Sequence, residues 1–151
     1  MLAKNTVQAD TPELPFSPRF FDALFSLDSY NYFGREEGVI DRIAAYVKVG
    51  GKMLIAVPGL TRPLDEQMME VFSKLWTPEQ MDYIRTVDWW RSLFEKSSAV
   101  HLDAIGLMDC YRQAWMDWLT CDNEYAQGDC GAMEAGGLEL MNLIQIELRV
   151  A

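Results

Sequence analysis

The chain has 151 residues, half of them apolar and 12% aromatic, which is enough for one domain that buries roughly two thirds of its surface and argues against disorder. Its 13 Lys and Arg residues against 23 Asp and Glu residues give a net charge of −10, so the surface repels nucleic-acid phosphates. Because no apolar run reaches the roughly 18 residues of a membrane span and no signal peptide follows Met1, we expect a cytoplasmic protein.

The first predicted elements are a short strand at residues 6–9 and a proline-containing loop that continues to Arg19. Phe21 to Leu27 is then a nearly continuous apolar run without clean alternation. Such a run predicts a strand covered on both faces, as in a parallel sheet. It ends in a polar and aromatic tip, Asp28 to Gly34.

A helix is predicted after this tip, because apolar residues recur at helical spacing from Val39 to Val47. We expect the helix to end at Gly50-Gly51 and a second buried strand to run from Met53 to Val57, closed by Pro58-Gly59. The pattern is a β-α-β unit with parallel strands and a right-handed connection. Ligands bind beyond the carboxyl ends of such strands, which draws attention to residues 28–32 and 58–60.

The second half of the chain alternates helical and strand patterns. Helices are predicted over residues 63–75, 89–95 and 109–119, with a short one over 132–138. A further helix start is predicted at Thr77, which forms a capping box with Gln80, and Asp88 is the predicted cap of the helix over 89–95. Strands are predicted over residues 100–105 and 143–150, and the latter alternates apolar and polar residues strictly.

Three segments resemble the class I S-adenosylmethionine-dependent methyltransferases, particularly the small-molecule branch. They are Ala9-Asp10 with Glu13-Leu14-Pro15-Phe16, then the strand from Phe21 with its tip at residues 28–34, then Val49 to Gly59. The resemblance covers residues 7–60 most sharply. It implies an α/β chain with a truncated Rossmann-like methyltransferase fold: one domain over residues 1–151, a parallel sheet with a carboxyl-terminal antiparallel strand, and helices on both faces.

The same resemblance implies a cofactor and its contacts. S-adenosylmethionine would bind with its adenine amino group on Asp10, its ring edge along the Thr11 backbone and its adenine against Leu14. The methionine part would pass beside Ser26, Leu27, Asp28 and Ser29. The methyl acceptor, a small molecule, would meet Tyr30, Asn31 and Tyr32 together with Trp89 and Trp90. Many relatives carry a His where this chain has Asn31, which weakens the case for a general base there.

The opening of the family pattern is missing from this sequence. Only nine residues precede Asp10, and no glycine occurs before Gly34, so neither the glycine-rich loop nor the ribose-binding acid of the family is supplied. The resemblance therefore predicts the carboxyl-terminal two thirds of the fold with an apolar sheet edge left open. We expect a homo-oligomer, pairing with a second fragment, or a shortened version of a longer protein.

Each candidate residue also has a structural interpretation. Asp10 and Asp28 suit a solvated loop acid and a turn cap, the tyrosines and tryptophans suit packing, and His101 suits a structural role on a strand. The three cysteines suit buried reduced thiols, and one histidine with dispersed cysteines assembles neither a metal site nor a hydrolytic triad. The competing functions are a non-catalytic remnant that binds ligands or oligomerises and an acidic, Trp-rich adaptor for a partner protein.

Overall fold

The computed structural model describes residues 7–10, 13–73 and 76–151. Its strands are β1 Phe21–Leu27, β2 Val47–Leu60, β3 Arg85–Thr86, β4 Val100–Leu107 and β5 Met141–Val150. Its α-helices are α1 Tyr30–Phe33, α2 Val39–Ala44, α3 Glu66–Phe72, α4 Pro78–Asp82, α5 Val87–Phe94, α6 Tyr111–Leu119, α7 Glu124–Ala132 and α8 Leu138–Leu140. A π-helical turn, Met133–Gly137, joins the last two helices. None of the helices in these ranges has the length and apolar character that a bilayer crossing demands.

The four long strands form one mixed sheet in the order β1-β2-β5-β4. β1 and β2 are parallel, with Leu24 opposite Met53 and Leu27 opposite Ala56. β5 is antiparallel to both β2 and β4, so β2 and β4 run in the same direction. The two-residue β3 adds to the end of β2. The predicted parallel β-α-β unit and the predicted carboxyl-terminal antiparallel strand are therefore confirmed.

The larger core lies on one face of this sheet, beneath α1, α2 and α5. The side chains that β2 places in this core are Met53, Ile55 and Val57. Those that β5 places there, at alternate positions of the strand, are Ile144, Ile146 and Leu148. The helices contribute the following buried side chains: Tyr30, Val39, Ile40, Ile43, Trp90 and Phe94. Each such side chain stabilises the fold by about 1.5–3 kcal/mol relative to exposure.

A second core forms where β2 and β5 meet the helices α3, α4 and α7. Leu60 lies opposite Met141 at the end of the β2–β5 ladder, and alternation places this pair on the face away from Met53. Met68 and Phe72 of α3 and other buried side chains pack around the pair. Helices therefore reach both faces of the sheet, as predicted, although the second face is covered only near this end.

The remaining part of the second face is open next to β1. Phe25 and Leu27 point away from the larger core and expose 68% and 72% of their surface. β1 is also an edge strand, since it pairs only with β2 among the described residues. The strand was predicted at the right residues, but the prediction that both of its faces are covered is wrong.

The boundary between α2 and β2 also differs from the prediction. The helix ends at Ala44 and the strand begins at Val47, so Gly50-Gly51 lies inside β2 rather than at a helix end. Gly50 takes φ 75° at a bulge, where the register to β1 jumps between Phe21 and Ala23. Pro58 does not end β2, although proline has no backbone N–H to donate. β1 stops opposite Ala56, so on that side no neighbouring strand needs a hydrogen bond from residue 58.

Smaller predictions divide into confirmed and wrong ones. The capping box of Thr77 and Gln80 is present. Thr86, not Asp88, caps α5 by accepting a hydrogen bond from the Trp89 N–H at 3.2 Å. Residues 7–10 form no strand, residues 1–6 lie outside the described part of the chain, and α7 was not predicted at all.

The three cysteines are free thiols, but burial was predicted wrongly for two of them. Cys110 and Cys121 are exposed, and Cys130 is half-buried. Within the described ranges, no group of three or more His, Cys, Asp or Glu side chains is arranged to hold a metal ion.

Candidate functional site

The tip that follows β1 is held by its own backbone beside the end of β2. Asp28 donates its N–H to the Ala56 carbonyl at 2.9 Å and takes φ 49°, a left-handed conformation that Asp tolerates better than most residues. The hydroxyls of Ser26 and Ser29 are 3.0 Å apart and share a hydrogen bond. The tip thus turns sharply at the carboxyl end of β1, beside the last part of its parallel partner β2, and ligands bind at this edge of α/β sheets.

The negative charge of Asp129, on α7, acts on Asp28 at this tip, and these two carboxylates are the acidic pair. Desolvation by the surrounding protein, and after it the negative charge of Asp129, raises the pKa of Asp28, although the residue is exposed. Asp129 is fixed by two indole N–H groups, because Trp76 and Trp118 each donate a hydrogen bond to it at 2.9 Å. The position of Asp129 is therefore set by the second core, and its charge acts on the tip of β1.

Two aromatic residues predicted to meet the acceptor belong to the larger core. Tyr30 is 1% exposed and Trp90 is fully buried, and the two rings lie 5.9 Å apart beside Phe94. Gly34 makes room for Tyr30, since a Cβ at position 34 would lie 2.0 Å from the tyrosine ring. The prediction that Tyr30 and Trp90 contact a ligand is not tested by this packing, but neither ring is open to solvent.

Tyr32 and Trp89, by contrast, line an open cleft of about 430 Å³. The cleft lies where the loop after α1 meets α2, α4, β3 and α5. Burial, and after it the charge of Asp28, raises the pKa of Tyr32, so the charge at the tip of β1 acts on a residue that lines the cleft. Its walls are Tyr32, Phe33, Arg35, Glu36, Val39, Arg42, Asp82, Arg85 and Trp89.

Guanidinium groups and aromatic rings organise one wall of this cleft. Arg35 and Arg85 both form ion pairs with Asp82. The Arg35 guanidinium lies 4.7 Å from the centre of the Tyr83 ring, and that of Arg85 lies 5.1 Å from a Trp89 ring. Cation–π contacts of this kind hold the planar groups in place.

Besides the Tyr30 hydroxyl, two buried side-chain oxygens, both of them amide oxygens, stand without a hydrogen-bond partner among the described residues. They are Oδ1 of Asn31, in α1, and Oδ1 of Asn142, next to Gly59 in the register of β2 and β5. Both residues are at most 2% exposed. Buried acceptors are nearly always satisfied, so these two fit a site that receives donors from a bound group or water. With the acidic pair, they suit a ligand that carries N–H donors and positive charge.

The adenine-side candidates lie apart from this tip. The Leu14 N–H donates to the Tyr46 hydroxyl at 3.2 Å, and Tyr46 directly precedes β2 at the end opposite to Asp28. Asp10 is exposed, and its carbonyl accepts the Glu13 N–H at 2.8 Å. Within the described ranges, no hydrogen bond or ion pair joins Asp10 or Leu14 to residues 26–32. Thr11 lies outside the described residues, so the adenine assignments stay predictions.

Sequence reasoning missed the residues that reach the site from other elements. Asp129 sits in a polar stretch where no helix was predicted, although Asn123 gives a signal: its side chain caps α7 by accepting the Ala126 N–H at 2.9 Å. Arg35, Asp82 and Arg85 carry no local pattern, because only the packing of α4 and β3 against α1 brings them together.

No family model matches this chain, and the search of curated proteins found no match. Solved structures do match. Phosphoethanolamine N-methyltransferase 2 from Haemonchus contortus, in complex with S-adenosyl-L-methionine, has a TM-score of 0.61 at 18% identity, covering 89% of this chain and 34% of that one. The geranyl diphosphate C-methyltransferase from Streptomyces coelicolor A3(2) has a TM-score of 0.63 at 11% identity, covering 92% and 51%. The [4+2]-cyclase SpnF also has a TM-score of 0.63, at 12% identity, covering 93% and 53%.

These similarities establish the fold. The chain has a class I methyltransferase-like, Rossmann-like α/β fold, and many of its structural neighbours are S-adenosylmethionine-dependent methyltransferases that act on small molecules. The chain spans about one third to two thirds of the length of the structures it matches. A cyclase among them shows that the fold itself does not fix the reaction.

Proposed function

We propose that this chain supplies the acceptor side of a domain that transfers a methyl group from S-adenosylmethionine to a small molecule. The observation that carries the proposal is the position of Asp28 at the carboxyl end of β1 in a methyltransferase-like sheet, where its N–H bonds to Ala56 of β2 and the charge of Asp129 acts on it. When bound, the cofactor supplies a methyl group on a positively charged sulfur, and such a reaction needs alignment more than acid or base help.

The residues of the tip suit the methionine end of that cofactor. Asp28 and Asp129 supply negative charge that would stabilise a bound cation. The buried Oδ1 atoms of Asn31 and Asn142 receive no hydrogen bond from a described residue, so a ligand could donate to them. Tyr32 follows this tip in sequence and lines the cleft, so it would contact an acceptor bound there. The role of these side chains is to bind, orient and exclude water.

We further propose that the edge of β1 receives a strand–helix segment of polypeptide. A parallel sheet is normally covered on both faces, yet Phe25 and Leu27 are exposed beside an unpaired strand edge. A second copy of this chain paired edge to edge about a two-fold axis would satisfy the β1 backbone but leave both apolar faces open. A segment that adds one strand and one helix would satisfy both, and it would strengthen cofactor binding rather than create it.

Calorimetry with two related ligands tests the cofactor proposal. S-adenosylmethionine carries a positive sulfur and S-adenosylhomocysteine does not, so the acidic pair should make this chain bind the former more tightly. Asp28→Asn should reduce that preference, because it removes one of the two carboxylates without changing the shape of the side chain. Asp88→Asn, on the exposed side of α5, is the control and should preserve it.

Two outcomes would contradict the cofactor proposal. The first is the absence of saturable heat with either ligand, which would favour the non-catalytic remnant. The second is an equal affinity for the two ligands that Asp28→Asn leaves unchanged, because the acidic pair would then face no cationic group.

A second candidate function follows from the structural neighbours themselves. Because a cyclase shares this fold, a non-methylating module that binds a small molecule in the cleft is the alternative. Incubation with S-adenosylmethionine carrying a labelled methyl group and a panel of small acceptors separates the two. Transfer of the label supports methylation, whereas acceptor binding without transfer, in a chain that binds the cofactor, supports the alternative.

A further inference from the structure

We infer that the cleft beside Tyr32 and Trp89 binds an anionic group, a phosphate or a carboxylate, carried by a small molecule. That this molecule is the methyl acceptor rests on the proposed function. The anion site itself rests on the charges, donors and volume of the cleft, and it is testable without any cofactor.

Positive charge is concentrated in this cleft against the trend of the chain. Three of the eight arginines line it, Arg35, Arg42 and Arg85, although the whole chain carries a net charge of −10. The carboxylates in its walls are Glu36 and Asp82. Three positive groups against two negative ones leave the cleft with a positive balance, which favours an anion over a cation.

The guanidinium groups are held in place before a ligand arrives. The Arg35 Nε donates to the Asn31 carbonyl at 2.9 Å, and its guanidinium lies against the Tyr83 ring. Arg85 lies against Trp89 in the same way. Side chains that are already fixed lose little conformational freedom on binding, so their hydrogen bonds to a ligand contribute more to affinity.

Donors exceed acceptors in this wall. Arg35 and Arg85 share the single carboxylate of Asp82, although each guanidinium carries five N–H donors. The Nε of Arg85 is buried and has no acceptor among the described residues. Arg42 forms no ion pair within the described ranges and completes the wall from α2. Planar forks with unused donors match the oxygens of phosphate and carboxylate groups.

The rest of the cleft specifies a small molecule rather than a free ion. A volume of about 430 Å³ lies within the range of small-molecule sites. Phe33, Val39 and Trp89 give it apolar walls next to the arginines. The geometry therefore suits a compound with an anionic head and an apolar or mixed body, and Tyr32 connects it to the tip of β1.

Nitrogen-15 spectra of the arginine Nε–Hε groups in the 151-residue chain test this inference directly. Inorganic phosphate and acetate are titrated at constant ionic strength, with chloride as the balancing ion. We expect saturable shifts of the Arg35 and Arg85 signals, and the tighter of the two probes identifies the anion class. Arg85→Gln should weaken binding about tenfold, the loss of one charge-assisted bidentate contact.

Two further variants keep the test decisive. Arg42 is exposed and forms no ion pair within the described ranges, so Arg42→Gln should weaken anion binding without destabilising the fold. Arg62→Gln removes the same charge outside the cleft, where Arg62 pairs with Asp65, and should leave binding unchanged. Unsaturable shifts, or equal losses in Arg42→Gln and Arg62→Gln, would overturn the inference. Saturable anion binding in a chain that fails to bind S-adenosylmethionine would overturn the proposed function alone.

Discussion

Asp28, at the end of β1, lies within the electrostatic reach of Asp129, on α7, although the two residues come from opposite ends of the chain. Burial and then the charge of Asp129 raise the pKa of Asp28, while two indole N–H groups hold Asp129 in place. A carboxylate at the end of β1 is therefore repelled by one that two tryptophans hold on α7. Like-charge repulsion of this kind costs stability, and groups with perturbed pKa values cluster at functional sites.

Replacing the first member of this pair should show that cost. The folded pKa of Asp28 lies above its ordinary value of 3.8, so the group stabilises the fold at lower pH and loses this contribution as the pH rises through the folded pKa. Asp28→Asn should therefore raise the free energy of unfolding near neutral pH and have little effect in acid. Solvent screening limits the gain to less than about 1 kcal/mol.

Urea denaturation of Asp28→Asn at neutral and acidic pH measures this difference. Asn also tolerates the left-handed conformation of residue 28, so the variant changes charge with little backbone strain. Asp88→Asn serves as the exposed control. A destabilised Asp28→Asn at neutral pH would show that the surroundings stabilise the carboxylate, which would require a lowered rather than a raised pKa.

Asp129 should matter more to stability than Asp28, because two half-buried donors depend on it. Asp129→Ala leaves the indole N–H groups of Trp76 and Trp118 without an acceptor, which should cost about 2–4 kcal/mol. Asp129→Asn retains one oxygen acceptor and should cost less. Denaturation followed by tryptophan fluorescence gives both values. Equal losses in the two variants would indicate that packing volume, not hydrogen bonding, gives Asp129 its role.

The sequence pattern predicts a strand well where strict apolar–polar alternation or a continuous apolar run is enough to determine the structure. β1 was predicted at its observed residues, and the strict alternation of residues 143–150 matches β5, which starts only two residues earlier. The end of α2 was misjudged because Gly50-Gly51 suits a helix end and a strand bulge equally well. The bulge forms because β2 pairs with β1, and this contact between distant parts of the sequence is not visible in the local pattern.

The close approach of Gly34 to Tyr30 gives a third prediction. A Cβ at position 34 would lie 2.0 Å from the buried tyrosine ring, which is too short for any real contact. Gly34→Ala should therefore destabilise the chain by about 1–3 kcal/mol, the usual cost of overpacking a core. Gly128→Ala is the matched control, because its Cβ would meet nothing within 4 Å in the middle of α7.

The control should change stability in the opposite direction. Alanine is favoured over glycine inside a helix by roughly 0.5–1 kcal/mol, so Gly128→Ala should raise the midpoint of thermal unfolding. If Gly34→Ala also raised this midpoint, the Tyr30 ring would have to leave its place in the larger core without loss of stability, and the tight packing around Tyr30 and Trp90 would be wrong.

The site was predictable only in its first half. The tip from Ser26 to Tyr32 follows from the rule that ligands bind at the carboxyl ends of parallel strands, and it could be found from sequence because one segment forms it. Asp129 and the arginines of the cleft come from elements far apart in sequence. Their proximity depends on how α4, α5 and α7 pack, which no local periodicity encodes.

The exposed face of β1 leads to the last prediction. Phe25 exposes 68% of its surface beside an unpaired strand edge, so the chain should self-associate with increasing concentration through this strand in the absence of a covering segment. Phe25→Lys should suppress that association, since charged residues on an edge strand oppose pairing, and it should leave the melting temperature nearly unchanged because the ring is mostly in water.

Light scattering over a wide concentration range measures the association. Tyr125→Lys, an equally exposed ring on α7, should not alter it. A strictly monomeric chain with a cooperative melt would contradict the proposal that β1 awaits a further strand, since a satisfied edge has no reason to associate.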